Sequence, residues 1–262
     1  MNDSEAALRE ARAELAAWPA RLEQAVAERT TELAASTRQM EAFVFTVAHD
    51  LRAPLRSMQN FSSLLLERAG PGLSEACRDF AVRINRSALF MDTLLVDLLS
   101  FSRVSQQPMD LEPVELEGVV RSVLVRLEKE IEEKKAAIEV AGTWPSVRAY
   151  QPVLAQVLLN LIGNSLKFSA PEVPPRIRLR AETLGGVVRT WVEDNGIGIE
   201  PTHHEQIFRP FTRLHGETYG GTGIGLAIVQ KGIERMGGKV GVQADHFQGS
   251  RFWFDLPRAE VP

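Results

Sequence analysis

Over its first hundred residues the chain repeats apolar residues at intervals of seven, or of three and four, which restricts this half to long α-helices. Leu8, Leu15 and Leu22 recur every seven residues, and Val26, Leu33, Met40 and Val47 do the same. The step of four from Leu22 to Val26 puts the two series at the d and a positions of one coiled-coil frame. Arg12, Pro19, Arg29 and Ser36 interrupt the seam, and Pro19 predicts a kink or break. From Val47 the series continues through Leu51, Pro54, Met58, Phe61 and Leu65. A loop at Ala69-Gly70-Pro71-Gly72-Leu73 and an N-cap at Ser74 follow. Cys77, Phe80, Ile84, Ser87, Met91, Leu94, Leu98 and Phe101 then mark a second helix ending near Gln106-Gln107-Pro108. Such a hairpin buries one stripe per helix, so a second copy is expected to complete a four-helix bundle, which makes the chain a homodimer.

The remainder reads as α/β. Helical periodicity is predicted for Val119 to about Lys135, Gln151–Phe168 and Gly225–Met236, the last stopped by Gly237-Gly238. Ile177, Leu179 and Ala181 alternate with Arg178 and Arg180 as in a strand, and Leu184-Gly185-Gly186-Val187 turns into another through Val192. A last hairpin spans Lys239–Leu256 around Gln248-Gly249-Ser250. The expected fold is α+β: a dimeric helical hairpin followed by an α/β sandwich, rather than a doubly wound parallel sheet.

Composition narrows the function classes. The 30 Lys+Arg against 34 Asp+Glu leave a net charge of −4, which argues against a nucleic-acid-binding chain. The single cysteine, Cys77, excludes an internal disulfide or zinc cluster. No apolar run approaches the ~18 residues of a membrane span, and a cytoplasmic location is expected.

Four constellations carry chemistry. In Ala48-His49-Asp50-Leu51-Arg52-Ala53-Pro54-Leu55, His49 lies off the apolar seam. An imidazole beside a carboxylate can act as a nucleophile, because an acceptor at one nitrogen leaves the other lone pair free. Pro54 removes the amide that would bond the Asp50 carbonyl. Asn160, Asn164 and Lys167 share one helix face at i, i+4 and i+7. A neutral amide oxygen suits a Mg²⁺ ion already neutralised by phosphates, and the lysine suits a phosphate. Glu193-Asp194-Asn195-Gly196-Ile197-Gly198-Ile199 follows a strand, and Asp194 can accept from an exocyclic amine. Gly220-Gly221-Thr222-Gly223-Ile224-Gly225 leads into a helix whose N-terminal amides suit phosphate; it is neither a Walker loop nor a dinucleotide fingerprint. Between the last two, Phe208 and Phe211 stand a turn apart, and Arg209 and Arg213 are within reach of phosphates. Each alone has an ordinary alternative: a surface histidine, an amphipathic helix edge, an Asn-Gly turn, a flexible hinge.

In this order the motifs closely resemble a sensor histidine kinase of two-component systems over about residues 40–257, and the wording around His49 and Gly221 is most similar to phytochrome-type kinases. The resemblance implies an N-terminal coiled-coil signal helix at 1–37, a dimerisation and phosphoacceptor hairpin at 38–106, and a Bergerat-type ATP-binding domain at 110–258. It implies ATP and Mg²⁺ as cofactors, His49 as the phosphorylated residue and Asp50 as its activating acid. Asn164 would coordinate Mg²⁺, with Asn160 and Lys167 beside the triphosphate. Asp194 would contact the adenine amino group, and Gly196 and Gly198 would shape that end. Phe208 and Phe211 would brace a short lid running from about Arg213 to Gly221. Gly221, Thr222, Gly223 and Gly225 would cradle phosphates.

The expected reaction is autophosphorylation of His49 and transfer to an aspartate on a response-regulator receiver domain, with input from an upstream sensor domain or sensor partner. Whether phosphorylation occurs within or between subunits depends on how the 69–73 loop turns. In the wider superfamily a glutamate one turn before the metal-binding asparagine activates water; Asn160 stands there and cannot act as a base, so futile hydrolysis is expected to be slow. Many relatives carry Thr or Asn four residues after the phosphoacceptor, and Ala53 predicts weak phosphatase activity. Ser165 replaces a common alanine, a change expected to be neutral. The intact motifs argue against a silent docking scaffold, and Asn160 with the histidine hairpin argues against an ATP-driven conformational machine.

Overall fold

The computed structural model describes residues 2–69, 72–170, 173–214, 219–244 and 249–259; many side chains before residue 50, that of His49 included, lie outside the description. The chain divides into two compact units, residues 1–47 and 48–262. Helix α1 (Asn2–Ala69) runs through Pro19 without interruption, so the expected break is absent. Proline deletes one N–H donor, and the hydrogen-bond ladder on both sides maintains the helix. Within the first unit, Leu22 and Val26 are exposed, and the side chains of Leu8, Leu15, Leu33 and Met40 lie outside the description. Gln24 donates to Glu28 at 2.9 Å and Arg29 pairs with Glu32 at 2.7 Å, the short-range pairs of a solvated helix.

In the second unit α1 packs against α2 (Glu75–Gln106), capped by Ser74, whose hydroxyl accepts from the Cys77 amide at 3.3 Å. Gly70 and Pro71 of the expected loop lie outside the described residues. The stripe read from the sequence is not the one that closes the hairpin. Ala48 and Leu55 meet Ala88, Leu95 and Leu99 in the interior. Beyond them Asn85 donates to Ser62, Ser63 and the Gln59 carbonyl. Leu51, Met58, Phe61, Leu65, Phe80, Ile84 and Met91 are instead exposed, Phe61 at 73%. Alanines and leucines together fill the interior, and a second set of large apolar residues is left facing outward. Each helix therefore carries two stripes, and at the far end of α2 Leu98, Phe101 and Val104 join the core of the C-terminal sandwich.

That sandwich begins with β1 (Glu112–Val114) and β3 (Val147–Ala149), an antiparallel ladder too short to give a periodic signal in sequence. The helix expected from Val119 to Lys135 is two helices, α3 (Leu116–Arg126) and α4 (Glu128–Glu133). They part at Leu127, whose amide bonds back to the carbonyls of both Val123 and Leu124, the tightening typical of a helix terminus. The main sheet has the order β2-β4-β5-β7-β6, with β2 (Ala137–Ala141), β4 (Arg176–Leu184), β5 (Val187–Asp194), β6 (Lys239–Ala244) and β7 (Ser250–Pro257). β2 runs parallel to β4, and every other pairing is antiparallel. The turn at 245–248 lies outside the described residues.

Helices α3, α5 (Gln151–Lys167) and α6 (Gly225–Arg235) supply the other layer. Leu154, Leu158, Leu161 and Ile162 of α5 share one buried core with Ile177, Leu179, Val192, Phe252 and Phe254 of the sheet. On the outer sheet face Arg180 and Arg189 lie over Trp191, at 4.7 and 5.7 Å from its ring, and Trp191 donates to Glu182 at 2.7 Å. That guanidinium cover buries an indole on a solvent-facing sheet surface.

Candidate functional site

Helix α5 is apolar on the face it buries, so its polar residues are confined to the opposite strip, where Asn160, Asn164 and Lys167 all line one cavity of about 210 Å³. The cavity lies between α5, the end of β5 and the glycine segment before α6. Asp194, Gly198, Arg213, Gly221, Thr222, Gly223 and Gly225 also line it, so ten of the residues singled out in sequence converge there.

At one end β5 delivers Asp194 into an apolar surround that includes Ile197, Ile199, Ile207 and Phe252. The Asp194 carboxylate accepts from the amides of Gly196 at 2.9 Å and Ser250 at 3.1 Å, and from the Ser165 hydroxyl at 3.0 Å. Burial pushes its pKa above the ordinary value, and those three donors pull partly against the rise. Asn195 takes no part in the cavity: its side chain accepts from Arg176 N at 2.7 Å and donates to the Pro174 carbonyl, holding the start of β4. Gly196 stands behind Asp194, where a β-carbon would be 2.6 Å from the Phe168 carbonyl oxygen. It shapes the turn rather than lining the cavity.

At the other end Gly223 has φ +75° and its carbonyl accepts from the Phe211 amide at 3.0 Å. A β-carbon there would lie 2.8 Å from the Thr212 carbonyl oxygen, so glycine is required by both conformation and space. Lys167 sits 4.5 Å over the Phe168 ring and directly beside Gly221. Burial lowers its pKa first, and neighbouring Arg213 adds to the effect. Phe208 is buried beneath this end, while Phe211, with φ +65°, is 58% exposed; neither lines the cavity. Residues 215–218 of the expected lid lie outside the described residues.

Three residues in or behind the cavity wall had no individual signal in the sequence. Ser165, expected to be neutral, holds Asp194. Tyr219 stacks at 5.3 Å on Phe168, and its hydroxyl donates to the Ser169 carbonyl at 3.2 Å. Asp97 reaches the cavity from α2 and accepts a hydrogen bond from Thr222.

His49, the phosphoacceptor expected from the sequence, lies on α1. Asp50, Ala53 and Pro54 are exposed. One turn after His49, Arg52 Nε comes within 3.9 Å of Asp92 Oδ1 of α2, a charge pair without a hydrogen bond between those atoms.

The residues fit a nucleotide. Asn160 Nδ2 is buried in the cavity wall without a hydrogen-bond partner. A buried acceptor at one end faces glycine amides and two cations at the other. Among the described residues no cluster of three or more His, Cys, Asp or Glu is placed to hold a metal. The Asn164 amide oxygen, a neutral hard donor lining the cavity, suits a hard cation that takes most of its ligands from phosphates and water.

Residues 39–107 match the His Kinase A (phospho-acceptor) domain, and residues 149–260 match the histidine kinase-, DNA gyrase B- and HSP90-like ATPase. The chain is 38% identical over 201 residues to the phytochrome-like protein Cph1 of Synechocystis sp., an alignment covering 76% of this chain and 27% of Cph1. It is 37% identical over 179 residues to the sensor histidine kinase AruS of Pseudomonas aeruginosa, covering 63% of this chain and 18% of AruS. The chain thus spans about a quarter or less of these curated relatives. Among solved structures, full-length ShkA in complex with AMPPNP superposes with a TM-score of 0.65 at 32% identity, covering 83% of this chain and 46% of ShkA. The mycobacterial sensor histidine kinase MprB gives 0.52 at 27%, covering 58% of this chain and all of that one. No helix among the described residues is long and apolar enough to cross a membrane. With a phosphoacceptor domain followed by an ATP-binding domain, the chain belongs to the histidine kinase family.

Proposed function

We propose that the chain is an ATP-dependent protein-histidine kinase that phosphorylates His49 and passes the phosphoryl group to an aspartate of a response-regulator receiver domain. The observation that carries this reading is the cavity: Asn160, Asn164, Lys167, Asp194 and the glycine segment line one space with a buried acceptor at one end and cations at the other. Asp194 accepts from the 6-amino group of adenine, a position where guanine carries a carbonyl oxygen that cannot donate. Lys167 and the amides from Gly221 to Gly225 receive the phosphates. Mg²⁺, held by Asn164, neutralises charge on the phosphates when bound.

The chemistry is an in-line displacement. A lone pair of the His49 imidazole bonds the γ-phosphorus as the bond to the β,γ-bridging oxygen breaks, and ADP leaves. The proton on the second ring nitrogen is held or accepted by Asp50, which keeps the attacking nitrogen unprotonated. Onward transfer forms an aspartyl phosphate and returns neutral histidine. Asn160 has no basic lone pair to activate water, so hydrolysis of ATP is slow. Ala53 offers no hydrogen-bonding group, so phosphatase activity towards the regulator is weak. The exposed apolar stripe of the hairpin pairs with a second copy, and a sensor domain or sensor partner supplies the input.

The test is incubation with γ-labelled ATP and Mg²⁺. Wild type is expected to acquire acid-labile, alkali-stable label, His49→Gln to lose it, and His203→Gln to keep it. His203 serves as the control because its ring only pairs with Glu200 at 3.8 Å, whereas His204 hydrogen-bonds the carbonyl of cavity residue Ile199. A wild type that binds ATP yet stays unlabelled overturns the kinase reading in favour of a docking scaffold.

A further inference from the structure

One wall residue of the cavity does not come from the ATP-binding domain. Asp97 belongs to α2 of the hairpin, yet its carboxylate reaches the glycine end of the cavity. There Thr222 Oγ1 donates to Asp97 Oδ2 at 2.5 Å, across 125 residues of sequence. The same hydroxyl oxygen accepts from the Ile224 amide at 3.3 Å, at the start of α6. The Thr222 hydrogen is thus committed to Asp97, and a lone pair to the loop itself. Lys167, the cavity's ammonium group, attracts Asp97 electrostatically.

A carboxylate and a terminal phosphate seek the same partners: a hydroxyl donor, an ammonium group and a glycine-rich turn. Two anions cannot share them at contact distance without strong mutual repulsion. We propose that Asp97 is an internal anionic competitor of the nucleotide's terminal phosphates: it holds Thr222 and neutralises Lys167 while they are absent, and a triphosphate must displace it. This inference rests on the cavity being an adenine-nucleotide site.

The displacement has a mechanical consequence. The Asp97–Thr222 bond ties the glycine segment to α2, next to the contact in which Arg235 of α6 donates to the carbonyls of Val104 and Gln107, both at 2.8 Å. Breaking the first bond loosens the ATP-binding domain from the hairpin on that side. Occupancy by a triphosphate is thereby linked to release of the ATP-binding domain from α2. Burial raises the Asp97 pKa, and the Thr222 hydrogen bond and the Lys167 charge act against that rise.

The experiment compares wild type with Asp97→Asn, an isosteric change that keeps an acceptor for Thr222 and removes the charge. Calorimetric titrations with Mg²⁺ use two probes, adenosine and β,γ-imido-ATP. The expected result is about tenfold tighter binding of the imido analogue by Asp97→Asn, with adenosine affinity unchanged, which also reports an intact fold. In wild type, hydrogen exchange over residues 94–104 is expected to rise on adding the analogue and not on adding adenosine. Equal or weaker analogue binding by Asp97→Asn, a parallel change for adenosine, or unchanged exchange overturns the inference while leaving the nucleotide reading intact. Failure of both proteins to bind either probe overturns the nucleotide reading, and the inference with it.

Discussion

Ser165 donates its hydroxyl hydrogen to Asp194 at 3.0 Å, joining the last turn of the cavity helix to the end of a central strand 29 residues away. The bond orients the Asp194 carboxylate and favours its charged form against burial.

Ser165→Ala is therefore expected to weaken adenine-nucleotide binding by about 1.5 kcal/mol, or roughly tenfold. Two backbone donors remain on Asp194, so binding is reduced and not abolished. Titration with a fluorescent ATP analogue checks this; an affinity equal to wild type would show that the two amides alone fix the carboxylate.

Asp194 also sets a pH dependence. Its folded pKa lies above the ordinary 3.8 because of burial, so the native state holds that proton more tightly than the unfolded chain. Its contribution to stability is fully present below the unfolded pKa and is lost as pH rises through the folded one. At neutral pH the ionised carboxylate opposes folding. Ligand-free Asp194→Asn is expected to melt at or above the wild-type temperature at pH 7.5, the gap narrowing towards pH 4. Its affinity for ATP should fall by about 2 kcal/mol or more, roughly 30-fold. Calorimetric melts across pH decide the sign; a variant less stable than wild type at pH 7.5 refutes it.

Lys167 gives the opposite slope. Burial and Arg213 lower its pKa below 10.5, so the unfolded chain binds the proton more tightly. Its unfavourable contribution persists below the lowered pKa and is relieved as pH rises towards 10.5. Lys167→Met is expected to raise the melting temperature of the ligand-free protein at pH 7 and to weaken ATP more than adenosine. A lowered melting temperature would mean that the attraction to Asp97 outweighs burial.

Gly223 and Gly220 lie in one loop under different constraints. Gly223 has φ +75° with backbone atoms inside 3 Å of a β-carbon position, whereas Gly220 has nothing within 4 Å. Gly223→Ala is expected to require about 1–2 kcal/mol for the left-handed conformation alone and to suppress phosphate binding and autophosphorylation. Gly220→Ala should behave as wild type in the same labelling assay, and equal loss in both would undo the distinction.

The outward stripe of the hairpin offers a test of assembly. Phe61 and Phe80 are exposed at 73% and 61%, and charges there oppose burial against a second copy. Phe61→Glu with Phe80→Glu should be monomeric by light scattering at concentrations where wild type is a dimer. A variant that remains dimeric would place the interface elsewhere.

The sequence by itself determined the long helices, the central hairpin strands and much of the cavity; the short strands β1 and β3 and the break between α3 and α4 carried no signal in it. Asn160, Asn164 and Lys167 were legible because helical spacing alone puts i, i+4 and i+7 on one strip, and Asp194 because an acid ending an apolar strand has one place to point. Gly221 to Gly225 were legible because glycines before a helix leave its amides accessible. The tertiary structure decided what depends on contacts between distant segments. Which hairpin stripe faces inward, Ala48 and Leu55 with Ala88, Leu95 and Leu99, was set by packing, because each helix carries two apolar stripes that periodicity alone does not rank. Ser165 and Asp97 look like an ordinary polar helix residue and a surface acid until folding brings them to Asp194 and Thr222. Periodicity records which way a side chain leaves its own backbone; only packing decides what it meets, because that partner can lie 125 residues away.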